Sequence, residues 1–190
     1  MDLMLLRIFQ RQVADQCRFM LAAVPLVNER KFQDQLWIGC QMFVVGAGNV
    51  SKALWGDGRN RGKLAASRQP LRESLAVDDT SPLYDLALRN HFEHYDERID
   101  RWWDGSTCHN YLDRMVVAPS AIVGLDSIDM FRIFDPSGPD GPTIVFWGET
   151  YKLQPIASEC ERILAIAARE AEKPHWDSSK RRSQRRPGRS

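Results

Sequence analysis

Cysteine pairs, long hydrophobic runs and an excess of one charge are all missing from this chain of 190 residues. Its four cysteines lie far apart and include no C-x-x-C pair. Because Cys17, Cys40 and Cys160 fall in helical apolar patterns, we expect buried free thiols in a reducing compartment. No apolar run approaches the roughly 20 residues of a membrane-spanning helix, and the first residues lack the apolar core of a signal peptide. These absences exclude disulfide-stabilised secreted domains and predict a cytoplasmic protein without a membrane span.

The charges balance overall, with 26 basic against 25 acidic residues, but they are unevenly distributed. Residues 173–190 hold seven basic residues against Asp177 alone. We therefore expect one domain over residues 1–172 and a basic, disordered tail over residues 173–190. The tail could bind nucleic acid without sequence preference or serve only solubility, and both interpretations remain open. Its candidate RNA-binding residues are Arg181, Arg182, Arg185 and Arg186.

Apolar periodicity predicts a mainly α protein. The expected helices cover residues 2–24, 29–55, 71–77, 82–103, 109–117 and 154–172. Residues 128–134 and 143–151 are rich in aromatic and β-branched side chains and flank a run of proline and glycine, which predicts a β-hairpin at about 128–151. The sum is a helical bundle of about four to five helices with one inserted β-hairpin.

Three glycines lie within the helix expected over residues 29–55: Gly39, Gly46 and Gly48. Glycine inside a helix costs stability, so these positions need a compensating reason. Either a neighbouring backbone approaches closely there, or the helix is kinked. The pattern does not decide between the two.

Residues 56–70 have the composition of a loop. The segment is no phosphate-binding P-loop, because Asp57 stands where that motif requires glycine and Leu64 stands where it requires a hydroxyl. Its basic residues Arg59, Arg61 and Lys63 remain candidates for RNA contact.

The stretch from Arg89 to His94 (Arg-Asn-His-Phe-Glu-His) carries the side chains that a metal-independent ribonuclease needs. Histidine moves protons near neutral pH, and arginine neutralises charge that develops on a phosphate. On an ideal helix, Asn90 and His94 form an i, i+4 pair, while Arg89 lies about 140° away from His94. An alternative interpretation is a solvated helix face held by pairs such as His94–Glu97 and Glu97–Arg101.

The pattern of arginine, a polar residue, three residues and histidine resembles the signature of the HEPN superfamily (higher eukaryotes and prokaryotes nucleotide-binding). The resemblance covers this helix and, loosely, the helices before it. It implies Arg89 as charge stabiliser, Asn90 as polar support and His94 as the acid–base residue. His91, Glu97 and Arg101 are possible supporting residues. It also implies a homodimer, in which two copies of the motif face each other across a cleft.

The resemblance implies a metal-independent endoribonuclease that cleaves RNA by attack of the 2′-hydroxyl, in a toxin or defence setting where an antitoxin protein is a possible partner. We expect no cofactor and no metal, because His91 and His94 do not have the spacing of a His-Glu-x-x-His site. The alternative is a catalytically inactive module that binds a partner protein or a nucleotide.

Overall fold

The computed structural model describes residues 1–29, 31–56, 61–84, 94–122, 129–130 and 132–176. Within them the protein is mostly helical and carries a small sheet. Three long helices form the core: α1 (Leu3–Glu29), α2 (Gln33–Trp55) and α6 (Leu153–Ala171). Three shorter helices flank them: α3 (Arg61–Ser67), α4 (Gln69–Ser74) and α5 (Tyr95–Gly105). A mainly α fold was predicted from the sequence, and the structure has it.

Helix α1 is the central helix, because it packs against both α2 and α6. Asp2 caps its N-terminus, where the Oδ1 atom accepts a hydrogen bond of 2.8 Å from the amide of Met4. The helix was expected to end near Pro25, but it continues through that residue to Glu29. The loss of one backbone hydrogen bond at Pro25 is offset by tertiary packing, since Ala23 and Val27 on either side are buried.

The glycines of α2 allow close contact with α1. A Cβ atom at Gly46 would lie 2.8 Å from the Cβ of Met20, and one at Gly39 would lie 2.8 Å from the Cβ of Leu26. The later glycine on α2, Gly46, meets the earlier residue on α1, Met20, whereas Gly39 meets Leu26. The two helices therefore run antiparallel. Of the two explanations left open by the sequence, the close approach of a neighbouring helix is correct for these two glycines.

The segment expected to be a loop is largely helical. Helices α3 and α4 lie where residues 56–70 were predicted to be irregular, and α4 begins earlier than the helix predicted over residues 71–77. Tertiary contacts explain the difference: the guanidinium of Arg68 stacks 3.6 Å from the ring centre of Phe9, and Arg72 donates hydrogen bonds of 2.7 Å to the carbonyls of Leu54 and Ala65. The basic side chains thus hold short helices on the bundle.

The sheet is larger than one hairpin. Strands β4 (Arg132–Asp135), β5 (Thr143–Phe146) and β6 (Glu149–Lys152) pair antiparallel in sequence order. Strand β2 (Met115–Val116) adds in parallel to β4 and completes the order β2-β4-β5-β6. The residues predicted as one strand, 143–151, form two strands, because Trp147 and Gly148 make a tight turn with positive φ at both positions.

A helix was predicted over residues 109–117, and this prediction is wrong. The region holds β1 (Tyr111–Leu112), which pairs in parallel with β3 (Asp129–Met130), followed by β2. His109 and Arg114 have positive φ angles of 49° and 59°, which a helix does not tolerate. The pairing with distant strands overrides the local helical spacing.

The sheet packs on the bundle through Phe134, Ile144 and Phe146, which are fully or almost fully buried in the same core as α1 and α2. Directly after α6 the chain lies against α1, because the carbonyl of Pro174 accepts a hydrogen bond of 3.4 Å from Arg7. The remainder of the predicted tail, from Asp177 onward, lies outside the described residues. Among the helices that the structure describes, none has the length and apolarity of a membrane crossing.

Candidate functional site

His94 is the residue of the predicted motif that the structure describes; Arg89, Asn90 and His91 lie outside the described residues. The expected helix over residues 82–103 is not continuous. Residues 82–84 form turns and a bend, and α5 begins only at Tyr95. His94 occupies the N-cap position of α5 with φ −111° and ψ 40°, which is not helical. Ideal helix angles therefore cannot be extended from α5 back across His94 to Arg89.

The polar face of α5 is open to solvent, as the sequence predicted for His94, Glu97 and Arg101. The side chain of His94 is 54% exposed, and its Nδ1 atom lies 3.3 Å from the Oε1 atom of Glu97. The carboxylate can orient the imidazole. With Nδ1 directed at Glu97, the other ring nitrogen, Nε2, is the one that can exchange a proton with a ligand.

The apolar face of α5 covers a cavity. The apolar spacing of the helix expected over residues 82–103 predicted instead that this face packs into a closed core. Tyr95 and Ile99, one helical turn apart, line it, and no residue of α5 is buried. The cavity has a volume of about 390 Å³. Its wall consists of Gln41, Tyr95, Ile99, Tyr111, Asp113, Arg132 and Phe146.

An ion pair between Asp113 and Arg132 lies in the cavity wall. Arg132 donates from Nε to Oδ1 at 2.7 Å and from Nη2 to Oδ2 at 2.6 Å, a two-point arrangement. The hydrogen bonds that Arg132 donates to Asp113 raise the pKa of Arg132 further, so its guanidinium stays charged. Burial, reinforced by the charge of Asp113, raises the pKa of the Tyr111 hydroxyl to about 12, so this group stays protonated.

The first turns of α2 hold this ion pair in place. The indole of Trp37 donates a hydrogen bond of 3.1 Å to the carbonyl of Arg114, and Arg114 forms an ion pair with Asp34. The guanidinium of Arg132 lies 5.6 Å from the ring centre of Trp37. Asp113, directly before Arg114, is thus fixed by contacts of its neighbour as well as by Arg132.

An aromatic cluster extends from the cavity along the outer side of α5. The ring of Trp102 lies 4.8 Å from that of Tyr111, and the ring of Trp103 lies 4.3 Å from that of His109. The ring nitrogen Nε2 of His109 is hydrogen bonded to the carbonyl of Trp103 at 3.0 Å. Trp103 is 60% exposed, so it is a surface residue, whereas Trp102 packs.

A larger cleft of about 500 Å³ lies between the start of α1 and the end of α6. Arg7, Lys173 and the exposed Trp176 line it. Glu170 forms ion pairs with Arg7 at 3.7 Å and with Lys173 at 2.6 Å, so these cations are partly neutralised. Hydrogen bonding from Lys173 accordingly lowers the pKa of Glu170. The cleft lies on different elements from α5 and shares no lining residue with the cavity.

The basic residues proposed for RNA contact are only partly described. Lys63 lies exposed on α3, and Arg61 is the first residue of that helix. Arg59, Arg181, Arg182, Arg185 and Arg186 lie outside the described residues. Among the described candidates, Lys63 is therefore the residue whose side chain the structure shows exposed to solvent.

Sequence patterns did not point to the cavity. Gln41, Tyr111, Asp113 and Arg132 come from α2, the β1–β2 region and β4, which are far apart along the chain. The only local signal was a charged residue, Arg132, within the strand predicted over residues 128–134. Its partner Asp113 could not be recognised, because residues 109–117 were assigned to a helix.

No family model matches this chain. Neither a curated protein nor a solved structure is similar to it at a significant level. Within the described part of the chain, no group of three or more histidine, cysteine or carboxylate side chains could hold a metal ion. Functional inference therefore depends on the residues and their geometry.

Proposed function

We propose that the protein is a metal-independent endoribonuclease of the HEPN type, in which His94 is the acid–base residue. The observation that carries this proposal is the exposed imidazole of His94 with its Nδ1 atom 3.3 Å from Glu97. A carboxylate at one ring nitrogen orients the ring, which leaves the other nitrogen for proton transfer. Exposure at the start of α5 gives an RNA strand access to the ring.

In this mechanism, His94 takes the proton from a ribose 2′-hydroxyl or gives one to the 5′-oxygen that leaves. The 2′-oxygen attacks the phosphorus, the bond to the 5′-oxygen breaks, and a 2′,3′-cyclic phosphate remains. Glu97 is a positioning residue, because it acts through His94. Arg89 is the residue that the motif assigns to stabilising the crowded phosphate, with Asn90 as polar support.

Arg132 is a poor candidate for the phosphate-stabilising role. Its two hydrogen bonds to Asp113 commit the guanidinium to a carboxylate, which would have to be displaced before a phosphate could bind in the same way. This favours Arg89 for the role. We propose a homodimer that brings two motifs together across a cleft.

The proposal is tested by cleavage of end-labelled RNA in EDTA, with identification of the product ends. Wild type should leave 2′,3′-cyclic phosphate ends. His94→Ala should reduce the rate by roughly 10²–10⁴-fold, the usual range for an acid–base group. Glu97→Gln should cause a smaller loss, because Glu97 orients the ring of His94 without taking part in the proton transfer itself. His109→Ala is the matched control, since that ring is hydrogen bonded to Trp103 away from the motif.

Full activity of His94→Ala, or a requirement for a divalent metal, would contradict the assignment. Binding of RNA or nucleotides by a folded wild type that never cleaves would favour the second candidate function, a catalytically inactive nucleotide-binding module. The observation that favours this module is the cavity beneath α5, whose charged wall is fixed by structural contacts. In a toxin setting, an antitoxin protein that covers His94 would suppress cleavage.

A further inference from the structure

We infer that the cavity beneath α5 binds a nucleobase of the RNA strand, and that guanine fits it best. This inference rests on the proposed function, since it gives the same site its substrate preference. Tyr95 lines the cavity and directly follows His94 in the chain. Adjacent Cα atoms are about 3.8 Å apart, so Tyr95 and His94 lie at the same end of α5, and we expect a base in the cavity to come from a nucleotide close to the phosphate that reaches His94.

The charge of the cavity favours a neutral ligand. Asp113 and Arg132 compensate each other through two short hydrogen bonds, and both are largely buried, with 18% and 23% of their side chains exposed. A phosphate or a carboxylate ligand would compete with Asp113 for the guanidinium and leave Asp113 unpaired, which is costly in a partly buried site. A nucleobase carries no net charge and does not require the pair to open.

The walls of the cavity suit a flat ring. Tyr95, Tyr111 and Phe146 supply aromatic surface, and Ile99 supplies an aliphatic contact. Tyr95 is 56% exposed and Tyr111 is 37% exposed, whereas Phe146 is fully buried. The two tyrosine rings can therefore be reached from solvent while Phe146 closes the interior end. Stacking on aromatic side chains is the common way for proteins to hold unpaired RNA bases.

The volume and polar groups narrow the choice of base. A cavity of about 390 Å³ falls within the range of small-ligand sites and has room for a purine. The carboxylate of Asp113 only accepts hydrogen bonds, and its two oxygens have lone pairs beyond those used by Arg132. Guanine presents two adjacent N–H donors on its Watson–Crick edge, which an acceptor-only group can bind, whereas uracil presents a single N–H between two carbonyls. The amide of Gln41 can bond either to a donor or to an acceptor.

The experiment uses the full wild-type chain and mononucleotides, which contain no internucleotide bond that could be cleaved. Guanosine 3′-monophosphate and uridine 3′-monophosphate are titrated by calorimetry. Because the two ligands share a ribose and a phosphate, their difference reports the base. We expect roughly tenfold tighter binding of the guanosine ligand, and a loss of about tenfold in Tyr111→Leu, in line with the contribution of one stacking ring. Tyr111→Phe should retain most of the affinity.

Phe19→Leu is the matched control for the loss of an aromatic ring, because Phe19 is 58% exposed on α1 and does not line the cavity. Tyr95→Leu offers a second test in case Tyr111→Leu does not fold, since Tyr95 is mostly exposed and not needed for the core. Equal binding of the two nucleotides, or the same loss in the Phe19 variant as in the tyrosine variants, would overturn the inference.

Failure of this inference can be told apart from failure of the proposed function. RNA cleavage by wild type with no preference for guanosine at either side of the cut would overturn the base pocket and leave the nuclease intact. Preferential binding of the guanosine ligand by a wild-type protein that never cleaves RNA would support the pocket and remove the nuclease. Cleavage beside guanosine that becomes indiscriminate in Tyr111→Leu would support both.

Discussion

Asp113 accepts two hydrogen bonds from Arg132, at 2.7 and 2.6 Å, and thereby joins the segment between β1 and β2 to β4. Because β2 and β4 are neighbouring parallel strands, the pair also strengthens the association of these two strands. One relationship thus serves both the fold and the cavity, and it is the most directly testable part of the structure.

Asp113→Asn should destabilise the protein by about 2 kcal/mol, because it leaves the partly buried charge of Arg132 without a carboxylate. Chemical denaturation of the full chain would measure the change. Asp140→Asn is the control, since Asp140 pairs with Lys152 at 2.5 Å on the surface, with more than half of both side chains exposed. An exposed pair contributes at most about 1 kcal/mol, so equal losses in the two variants would contradict the structural role of Asp113.

Gly46→Ala should destabilise the contact between α1 and α2. The new Cβ atom would lie 2.8 Å from the Cβ of Met20 and 3.1 Å from its Cα, so one helix must shift. Such overpacking costs about 1–3 kcal/mol. Gly62→Ala is the matched control: a Cβ there meets no atom within 4 Å, and alanine favours the helix, so stability should stay equal or rise. Thermal unfolding of both variants tests the prediction, and a stabilised Gly46→Ala would refute the close helix contact.

The pH dependence of stability should include a contribution from Glu159. Hydrogen bonds from Arg162, and a smaller effect of the bond from Ser81, lower the pKa of Glu159 below its ordinary value of 4.5. A pKa that is lowered in the folded state stabilises the protein fully above the pKa of the unfolded chain, and this stabilisation is lost as the pH falls through the lower, folded value.

Glu159→Gln should therefore cost about 1–2 kcal/mol near neutral pH, and the difference from wild type should shrink below pH 4.5. Urea unfolding at a series of pH values would measure this. Glu161→Gln, an exposed position on the same helix, should change little at any pH. If the difference between Glu159→Gln and wild type grew in acid, the pKa of Glu159 would not be lowered in the folded state.

Removal of residues 177–190 should weaken binding to single-stranded RNA and reduce its dependence on salt. The deleted segment contains Lys180 and five arginines. If all six contact phosphates, the slope of log K against log salt should become shallower by about 4, since each contact on a single strand contributes about 0.7. Filter binding at several salt concentrations would measure the slope. An unchanged slope would assign the tail a role in solubility alone.

Local sequence patterns were sufficient to predict the long helices. The stripes that predicted helices over residues 29–55 and 154–172 correspond to α2 and α6, because one side of each helix must be buried in the core. Buried positions for Cys17, Cys40 and Cys160 were predicted in the same way and are confirmed. Burial raises the pKa of the Cys40 thiol to about 12, as expected for a structural cysteine.

Patterns failed where distant segments decide the conformation. Residues 109–117 have the apolar spacing of a helix, yet they pair with β3 and β4, and two of them adopt positive φ. Residues 61–70 have the composition of a loop, yet Arg68 stacks on Phe9, and Arg72 joins the carbonyl of Ala65 to that of Leu54 in α2. In both cases the deciding contacts join residues that are remote in sequence, so no local window contains them.

The sequence by itself determined a mainly α domain, its three long core helices, its buried thiols and an exposed polar face with His94, Glu97 and Arg101. It did so because helix formation and burial follow a short, repeating pattern of apolar side chains. The folded structure was needed to show that residues 109–117 contain two short strands and that Gln41, Tyr111, Asp113 and Arg132 line one cavity beneath α5. Those features depend on strand pairing and on one long-range ion pair, whose partners can be recognised only once the chain is folded.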